Sequence, residues 1–404
     1  MPVMDATLSK ESRQRLDAGR MSKTAAYYLA FVALGLASAS LGPTLPGLAE
    51  NTQTHLREIS FLFTARSLGY LLGSFFGGRF YDRKPGHPVM GLMLIGMAMA
   101  LILVPTVSLL WVLTGILLVL GMAEGALDVG GNTLLVWVHR HQVGPFMNGL
   151  HFFFGIGAFL SPLIIAQAVL VSGDITWAYW ILALLFLPMA LWLLRLPSPP
   201  AQTVSKDGPV GQVNHRLVGL IVLFFVLYVG AEVGFGGWIF TYARQLNLAN
   251  ETVAAYLTSA FWGALTVGRL LAIPIAARVR PRYILLGDLL GCLVSVGLIL
   301  IWPDSLVATW LATLGIGLSM ASIFPTTISL AERRMTVTGQ VTGWFFVGAS
   351  TGAMFLPWLI GQLFESIGPW VMPLALIVDL TAALSILLVL ISYSARAVVK
   401  AEGQ

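Results

Sequence analysis

Twelve stretches of this chain are each apolar over the length that a helix needs to cross a lipid bilayer, and nothing else in the sequence restricts its fold as strongly. A hydrocarbon core ~30 Å thick takes roughly 20 residues of helix. The stretches fall at 25–48, 58–80, 88–107, 109–137, 146–170, 176–196, 216–242, 252–276, 282–302, 305–331, 339–362 and 370–394. The joins are short except for 197–215, which is rich in Pro, Ser, Lys and Gly. The expected fold is an all-α integral membrane protein with twelve transmembrane helices. It divides into six-helix bundles at 25–196 and 216–394, flanked by a segment at 1–24, a linker at 197–215 and a tail at 395–404. Only 10% of the residues are charged, where a soluble domain carries about 25%. Such a chain cannot wet its own surface, so lipid is the expected partner over most of it. The first 24 residues are polar and basic and run straight into an apolar helix with no small-residue cleavage site, so that helix is read as retained. Cys292, the single cysteine, excludes a disulfide framework.

The net charge of +5 does not call for nucleic acid, because its distribution follows the helix count. Of the 23 basic residues, nineteen lie on the side of the two termini, and the joins on the other side hold only Arg57 and Arg244. The positive-inside rule then puts both termini in the cytoplasm, with a plasma membrane as the expected location.

The halves repeat at one constant offset of 195 residues. Gly35 matches Gly230 and Gly42 matches Gly237 in helices one and seven, and Gly73 matches Gly268 in helices two and eight. Gly157, Ala158 and Pro162 match Gly352, Ala353 and Pro357 in helices five and eleven. One shift that serves three helix pairs implies two pseudo-symmetric bundles related by an axis along the membrane normal. The join after helix two reads Gly78-Arg79-Phe80-Tyr81-Asp82-Arg83-Lys84-Pro85-Gly86. It resembles the G-x-x-x-D-R-x-G signature of the major facilitator superfamily, with one extra residue before the last glycine. The resemblance implies that Asp82 and Arg83, beside Gly78, lock the cytoplasmic ends of the halves when the transporter opens outward. Without the resemblance, this join is a basic loop anchoring a helix end.

A charge at the membrane centre is costly unless paired, hydrated or used, so the intramembrane ionisable residues are the best candidates for function. They are Arg66, Glu124, Asp128, His151, Glu232, Arg269, Asp288 and Asp379. Glu124, Asp128 and Asn132 are spaced four apart and share a face of helix four. A carboxyl group that gains and loses a proton near neutral pH suits proton coupling, and a carboxylate among free carbonyls suits sodium. The plainer reading of the pair is structural, buttoned to Arg or His on neighbouring helices. Glu232 stands near the midplane of helix seven among Gly230, Gly234, Gly236 and Gly237, and its repeat partner is Ala37, so its role belongs to one half alone. Its bland alternative is an ion pair with an arginine. His151, near the start of helix five, is placed to relay a proton to Asp128 or to pack as an ordinary core histidine. Arg269 and Asp288 fall at one depth on sequential helices and are expected to form a structural ion pair. The partner of Arg66 is open, and Asp379 reads as a structural or lipid-edge acid. Trp238 and Trp262 are candidate platforms for the apolar face of a sugar, against the commoner role of packing or interface anchoring.

At these motifs the chain is similar to one part of the superfamily. Leu127-Asp128-Val129-Gly130-Gly131-Asn132 resembles the helix-four motif of the fucose–galactose–glucose symporter family, which implies proton coupling and sugar binding at Asp128. Leu150-His151-Phe152, Tyr228-Val229-Gly230-Ala231-Glu232, Gly236-Gly237-Trp238, Phe261-Trp262-Gly263 and Gly268-Arg269-Leu270 resemble the animal sodium-dependent glucose transporter-like branch more closely. The fucose-type symporter carries a second acid in helix one, whereas this chain has none between Tyr27 and Leu48.

The expected function is secondary transport by alternating access. The chain would take up a sugar or similar small polar solute, coupled to H+ or Na+, as a monomer with no other cofactor and no metal. The competing reading is a proton-coupled efflux pump for drugs or other amphipathic compounds, a reading the missing GP-centred antiporter motif in helix five weakens. Enzymes are disfavoured by the absence of an H-E-x-x-H cluster and a G-x-S-x-G elbow.

Overall fold

The computed structural model of the chain describes the backbone of residues 10–200, 214–335 and 339–402, and the side chains of 19–81, 83–140, 142–200, 214–335 and 341–392. Most of the linker at 197–215, and the ends of the 1–24 and 395–404 segments, lie outside the described residues. Among the described residues, eleven continuous helices are long and apolar enough to cross a membrane, and a twelfth is a pair bent by 46°. In chain order they are α1 (Gly19–Ser38 with Leu41–Thr52), α2 (Leu56–Tyr81), α3 (Gly86–Thr106), α4 (Leu110–His139), α5 (Val143–Ser172) and α6 (Ile175–Arg195). The second set is α7 (His215–Gln245), α8 (Glu251–Ala276), α9 (Pro281–Ile301), α10 (Leu306–Glu332), α11 (Val341–Ile367) and α12 (Val371–Ser392). The face with the termini is called the terminal face below, and the opposite one the far face.

Two helices depart from the continuous runs that hydropathy implies. In α1, Pro43 has no N–H for the Ala39 carbonyl, and the Ser40 hydroxyl donates to the Ala37 carbonyl at 2.7 Å. Together they break the helix at Ala39–Ser40 and bend it. In α10, the helix interrupts at Ala321–Ser322, between Leu306–Met320 and Ile323–Glu332. Both breaks release carbonyls at membrane depth, where each needs an internal partner.

The glycine repeat acquires a packing explanation. In the first half α1 crosses α5 so closely that a Cβ on Gly35 would lie 2.0 Å from the Phe154 carbonyl oxygen, and one on Gly157 2.1 Å from that of Val32. In the second half α7 crosses α11, and a Cβ on Gly352 would lie 1.9 Å from the Val226 carbonyl oxygen. Gly73 and Gly268 likewise sit where α2 meets α4 and where α8 meets α10. Small residues let helix backbones approach when lipid offers no hydrophobic drive for association. The repeated glycines therefore fix the same crossings in each bundle.

The halves meet on the far side and part toward the terminal face. The second segment of α1 packs on α7, the start of α2 on α11, and α5 on α8. Arg57 Nε donates to Gln362 Oε1 at 3.0 Å, the Leu56 N–H to Glu365 Oε1 at 2.9 Å, and the Gln362 amide to the Arg57 carbonyl at 2.7 Å. His55 lies 3.4 Å from Glu365, both well exposed, so that contact adds little stability. Gly42 abuts its own repeat equivalent: a Cβ there would lie 2.9 Å from the Gly236 oxygen and 3.0 Å from the Gly237 oxygen. Toward the terminal face, α4 and α10 pack along helices of their own half.

Candidate functional site

The acids on α4 form a two-rung ladder with α2. Arg66 donates through Nε to Glu124 Oε2 at 2.9 Å and through Nη2 to Glu124 Oε1 at 2.5 Å. One turn on, the Tyr70 hydroxyl donates to Asp128 Oδ2 at 2.5 Å. Both rungs join residues 58 apart, because α2 and α4 run parallel and i, i+4 neighbours stack on each. The Arg66 side chain is 11% exposed and that of Glu124 3%, so this fork is a buried, fully matched pair. The remaining Arg66 donor, Nη1, reaches the Ser38 carbonyl at 3.1 Å. One guanidinium thus ties the break in α1 to α4. This is the partner of Arg66 that the sequence left open, and it gives Glu124 the structural reading.

Asp128 is held differently. Its other oxygen accepts from the Asn132 amide at 3.0 Å, and that amide also donates to the Asp128 carbonyl at 2.9 Å. Among the described residues, every hydrogen-bond partner of this carboxyl is neutral. The side chain is half-buried, and Tyr81, whose buried hydroxyl has no hydrogen-bond partner among the described residues, lies near it. His151 makes no described contact with Asp128, so the expected relay is not formed. Its neighbours are Phe31, edge-on at 5.9 Å between ring centroids, and the charge of Arg269 across the interface.

In the second half, the Tyr228 hydroxyl bonds both Glu232, one turn away, and the Met320 carbonyl freed at the α10 break, the latter at 3.2 Å. Arg269 lies close enough to act electrostatically on Glu232 and Tyr228. The expected Arg269–Asp288 ion pair is absent among the described residues. The reason is that α10 packs against both α8 and α9 and separates them; Asp288 takes its hydrogen bond from Ser322 at the α10 break instead. Asp379 on α12 leaves a buried carboxyl oxygen without a partner.

The two tryptophans differ in kind. Trp238 is fully buried, donates to the Pro357 carbonyl at 2.9 Å, and stacks on Phe364 at 4.9 Å with Phe63 at 6.1 Å on another side. No ring face is free for a sugar, which corrects that expectation and makes Trp238 part of the far-side seal. Trp262 is 8% exposed, with its indole N–H buried and unpartnered. The motif read as a join after helix two is helical as far as Arg83, so Gly78 lies within α2; a Cβ on Gly78 would meet open space and Arg83 is exposed. The side chain of Asp82 lies outside the described residues.

Sequence reasoning missed Tyr70 and the Ser38 carbonyl. The matched i, i+4 spacing of Arg66–Tyr70 and Glu124–Asp128 on two parallel helices was the available signal for Tyr70. Nothing in hydropathy marks a carbonyl released by a break.

Comparison with known proteins agrees with this geometry. A model of the Major Facilitator Superfamily matches residues 27–357. Sodium-dependent glucose transporter 1 of Xenopus laevis is 32% identical over 362 residues, which cover 81% of this chain and 73% of that protein. Major facilitator superfamily domain-containing protein 4A of Homo sapiens is 26% identical over 451 residues, covering 87% and 88%. A crystal structure of the nucleoside transporter NupG superposes with a TM-score of 0.76 at 13% identity, covering 93% of this chain and 99% of that one, which speaks for a shared fold. The chain belongs to the major facilitator superfamily of secondary transporters, in the branch that holds sodium-dependent glucose transporter 1 and its relatives.

Proposed function

We propose that this chain takes up a sugar, or a similar small polar metabolite, driven by H+ or Na+, and that Asp128 is the group that senses the coupling ion. One observation carries the reading. Within a single turn of α4, Glu124 is matched by Arg66 whereas Asp128, among the described residues, is held by Tyr70 and Asn132 alone. A carboxylate at this depth with no cation beside it is costly, and an arriving proton or sodium ion relieves that cost. The neutral partners keep the group in place, so the ion changes its charge without dismantling the site. Sugar as the cargo is supported by relatives that are named for sodium-dependent glucose transport.

The basic terminal face is the cytoplasmic side, with both termini inside, the protein a monomer in a plasma membrane, and lipid over its exposed apolar side chains. The parted side then faces the cytoplasm, and the far-side contacts form the outer gate. Ion and sugar bind the two arrangements with unequal affinity and so shift the rocking equilibrium. Asp82 and Arg83 act in the opposite arrangement, when the cytoplasmic ends close.

Proteoliposomes holding the purified chain test this. Glucose uptake should appear under an imposed proton or sodium gradient. Asp128→Asn should lose gradient-driven accumulation and keep glucose exchange between equal pools. Absence of glucose uptake under either gradient, with transport of an amphipathic cation instead, would reject the reading in favour of efflux.

A further inference from the structure

The face of α8 turned toward the first half carries two donor groups, on Trp262 and Arg269, that lack hydrogen-bond partners among the described residues. Trp262, Thr266 and Arg269 recur at i, i+4 and i+7, which is one helix face. Thr266 fixes where this face points: a Cβ on Gly155 of α5 would lie 2.1 Å from its hydroxyl oxygen, and one on Gly263 2.8 Å from Phe159 of α5. The stripe therefore lines the junction of the halves. The Thr266 hydroxyl donates to the Trp262 carbonyl at 2.7 Å and is spent. The Trp262 indole N–H is buried and has no hydrogen-bond partner among the described residues. Arg269 is half-buried, and among the described residues it makes no hydrogen bond and no ion pair. An arginine has five N–H donors in a fixed fork, and leaving them empty inside a membrane span is as unusual as leaving an acid unmatched.

His151 stands opposite. It lies four residues before Gly155 on α5, and Arg269 lies three residues beyond Thr266 on α8, so both sit one turn to the terminal side of the same crossing. His151 is exposed there, where the halves begin to part.

We propose that Arg269 and Trp262 on α8, faced by His151 on α5, form a subsite that receives hydroxyl oxygens of a neutral sugar. The chemistry selects acceptors, since the two α8 groups offer only donors. Charge selects a neutral acceptor. Arg66 matches Glu124, and Glu232 stands within electrostatic reach of Arg269, so the two clusters together leave one unmatched negative charge, at Asp128. A sugar bearing a carboxylate would add a second; a neutral sugar with one cation at Asp128 balances the site. The subsite also spans both halves, so a bound sugar joins the helices that move apart when the cycle turns. This inference rests on the sugar-transport reading above.

The experiment compares wild type, Arg269→Lys and the charge-neutral pair Arg269→Gln/Glu232→Gln in proteoliposome uptake, with D-glucose and D-glucuronate as probes. Wild type should take up glucose in preference to glucuronate. The double variant should raise the KM for glucose about 10- to 100-fold, the loss expected when a charged donor is withdrawn from a bound oxygen. Arg269→Lys, which keeps the charge and loses the fork, should fall between. A double variant with wild-type KM means that Arg269 serves only as a counterion to Glu232, and it overturns this inference while leaving the transport reading intact. Preferred uptake of glucuronate also overturns it. Wild type that carries no sugar removes the transport reading and this inference together. Phenylglyoxal labelling of the wild-type protein requires no variant to fold: glucose should protect Arg269 from modification, and unprotected labelling at saturating glucose overturns the subsite.

Discussion

The halves of this molecule share their scaffold and differ in their chemistry. An offset of 195 carries Gly35, Gly73 and Gly157 onto Gly230, Gly268 and Gly352, and each set draws the same helices together. The same offset carries Arg66, Tyr70, Glu124 and Asp128 onto Phe261, Leu265, Ser319 and Ile323, so the ladder of the first half loses every charge in the second and keeps one small hydroxyl. In return, Glu232 and Arg269 stand where the first half has Ala37 and Ser74. Packing is therefore what the repeat retains, and charge is where the halves divide the work. The first half matches one acid completely and leaves its neighbour with neutral partners. The second half holds an acid and an arginine near each other without joining them.

That comparison fails if the two arginines prove equivalent, and stability measurements are the most direct way to break it. Arg66→Ala strands the Glu124 carboxylate in a buried site and should cost about 3–5 kcal/mol, read as a lowered unfolding temperature in detergent. Arg269→Ala breaks no described bond but removes a charge that acts on Glu232, and should cost about 1–2 kcal/mol, short of the Arg66 loss. Equal losses would mean that Arg269 is as structural as Arg66.

A smaller difference separates the repeated glycines. Gly35→Ala drives a Cβ toward backbone at 2.0 Å and should cost about 1–3 kcal/mol. At Gly230 the nearest atom would be the Leu356 Cβ at 3.2 Å, which a slight shift accommodates, so Gly230→Ala should stay below about 1 kcal/mol. The ratio of the two melting shifts tests whether the close approach rests on the α1 glycine in the first crossing and on Gly352 of α11, not Gly230, in the second.

The smallest effect concerns the tyrosines that hold the acids. Tyr70→Phe and Tyr228→Phe each remove one hydrogen bond from a carboxyl, worth about 0.5–1.5 kcal/mol. Tyr228→Phe also gives up the Met320 carbonyl and should cost slightly more stability, while the transport of the two differs further. Tyr70→Phe should alter the dependence of glucose uptake on coupling-ion concentration, and Tyr228→Phe should leave that dependence unchanged. Matching ion dependences would show that the acids are not specialised.

Much of the fold was legible in the sequence. Apolar runs of bilayer length and one glycine offset convey helix count and pairing, because both follow from local composition. The breaks in α1 and α10 were not, since each depends on one or two residues inside an apolar run: Pro43 and Ser40 in the first, Ala321–Ser322 in the second. Partner choice was legible only in part. Adjacency along the chain suggested Arg269 with Asp288, and the interposed α10 prevents it. Arg66 and Glu124 are 58 residues apart, and only the close packing of α2 on α4 brings them together. Trp238 and Trp262 look alike as letters; which one keeps a free donor is decided by Phe364, Phe63 and the Pro357 carbonyl.

The contact of Gly42 with Gly237 has a consequence of another sort. The two residues are each other's counterpart under the offset, so where they touch, the pseudo-twofold axis passes between them. A contact on that axis is encoded twice in the gene and occurs once in the molecule. The two codons are not interchangeable targets, however: a Cβ at Gly42 meets the Gly236 and Gly237 carbonyls, whereas one at Gly237 meets the Phe63 ring at 2.8 Å, so drift at the one closes the axis and drift at the other displaces its aromatic neighbour.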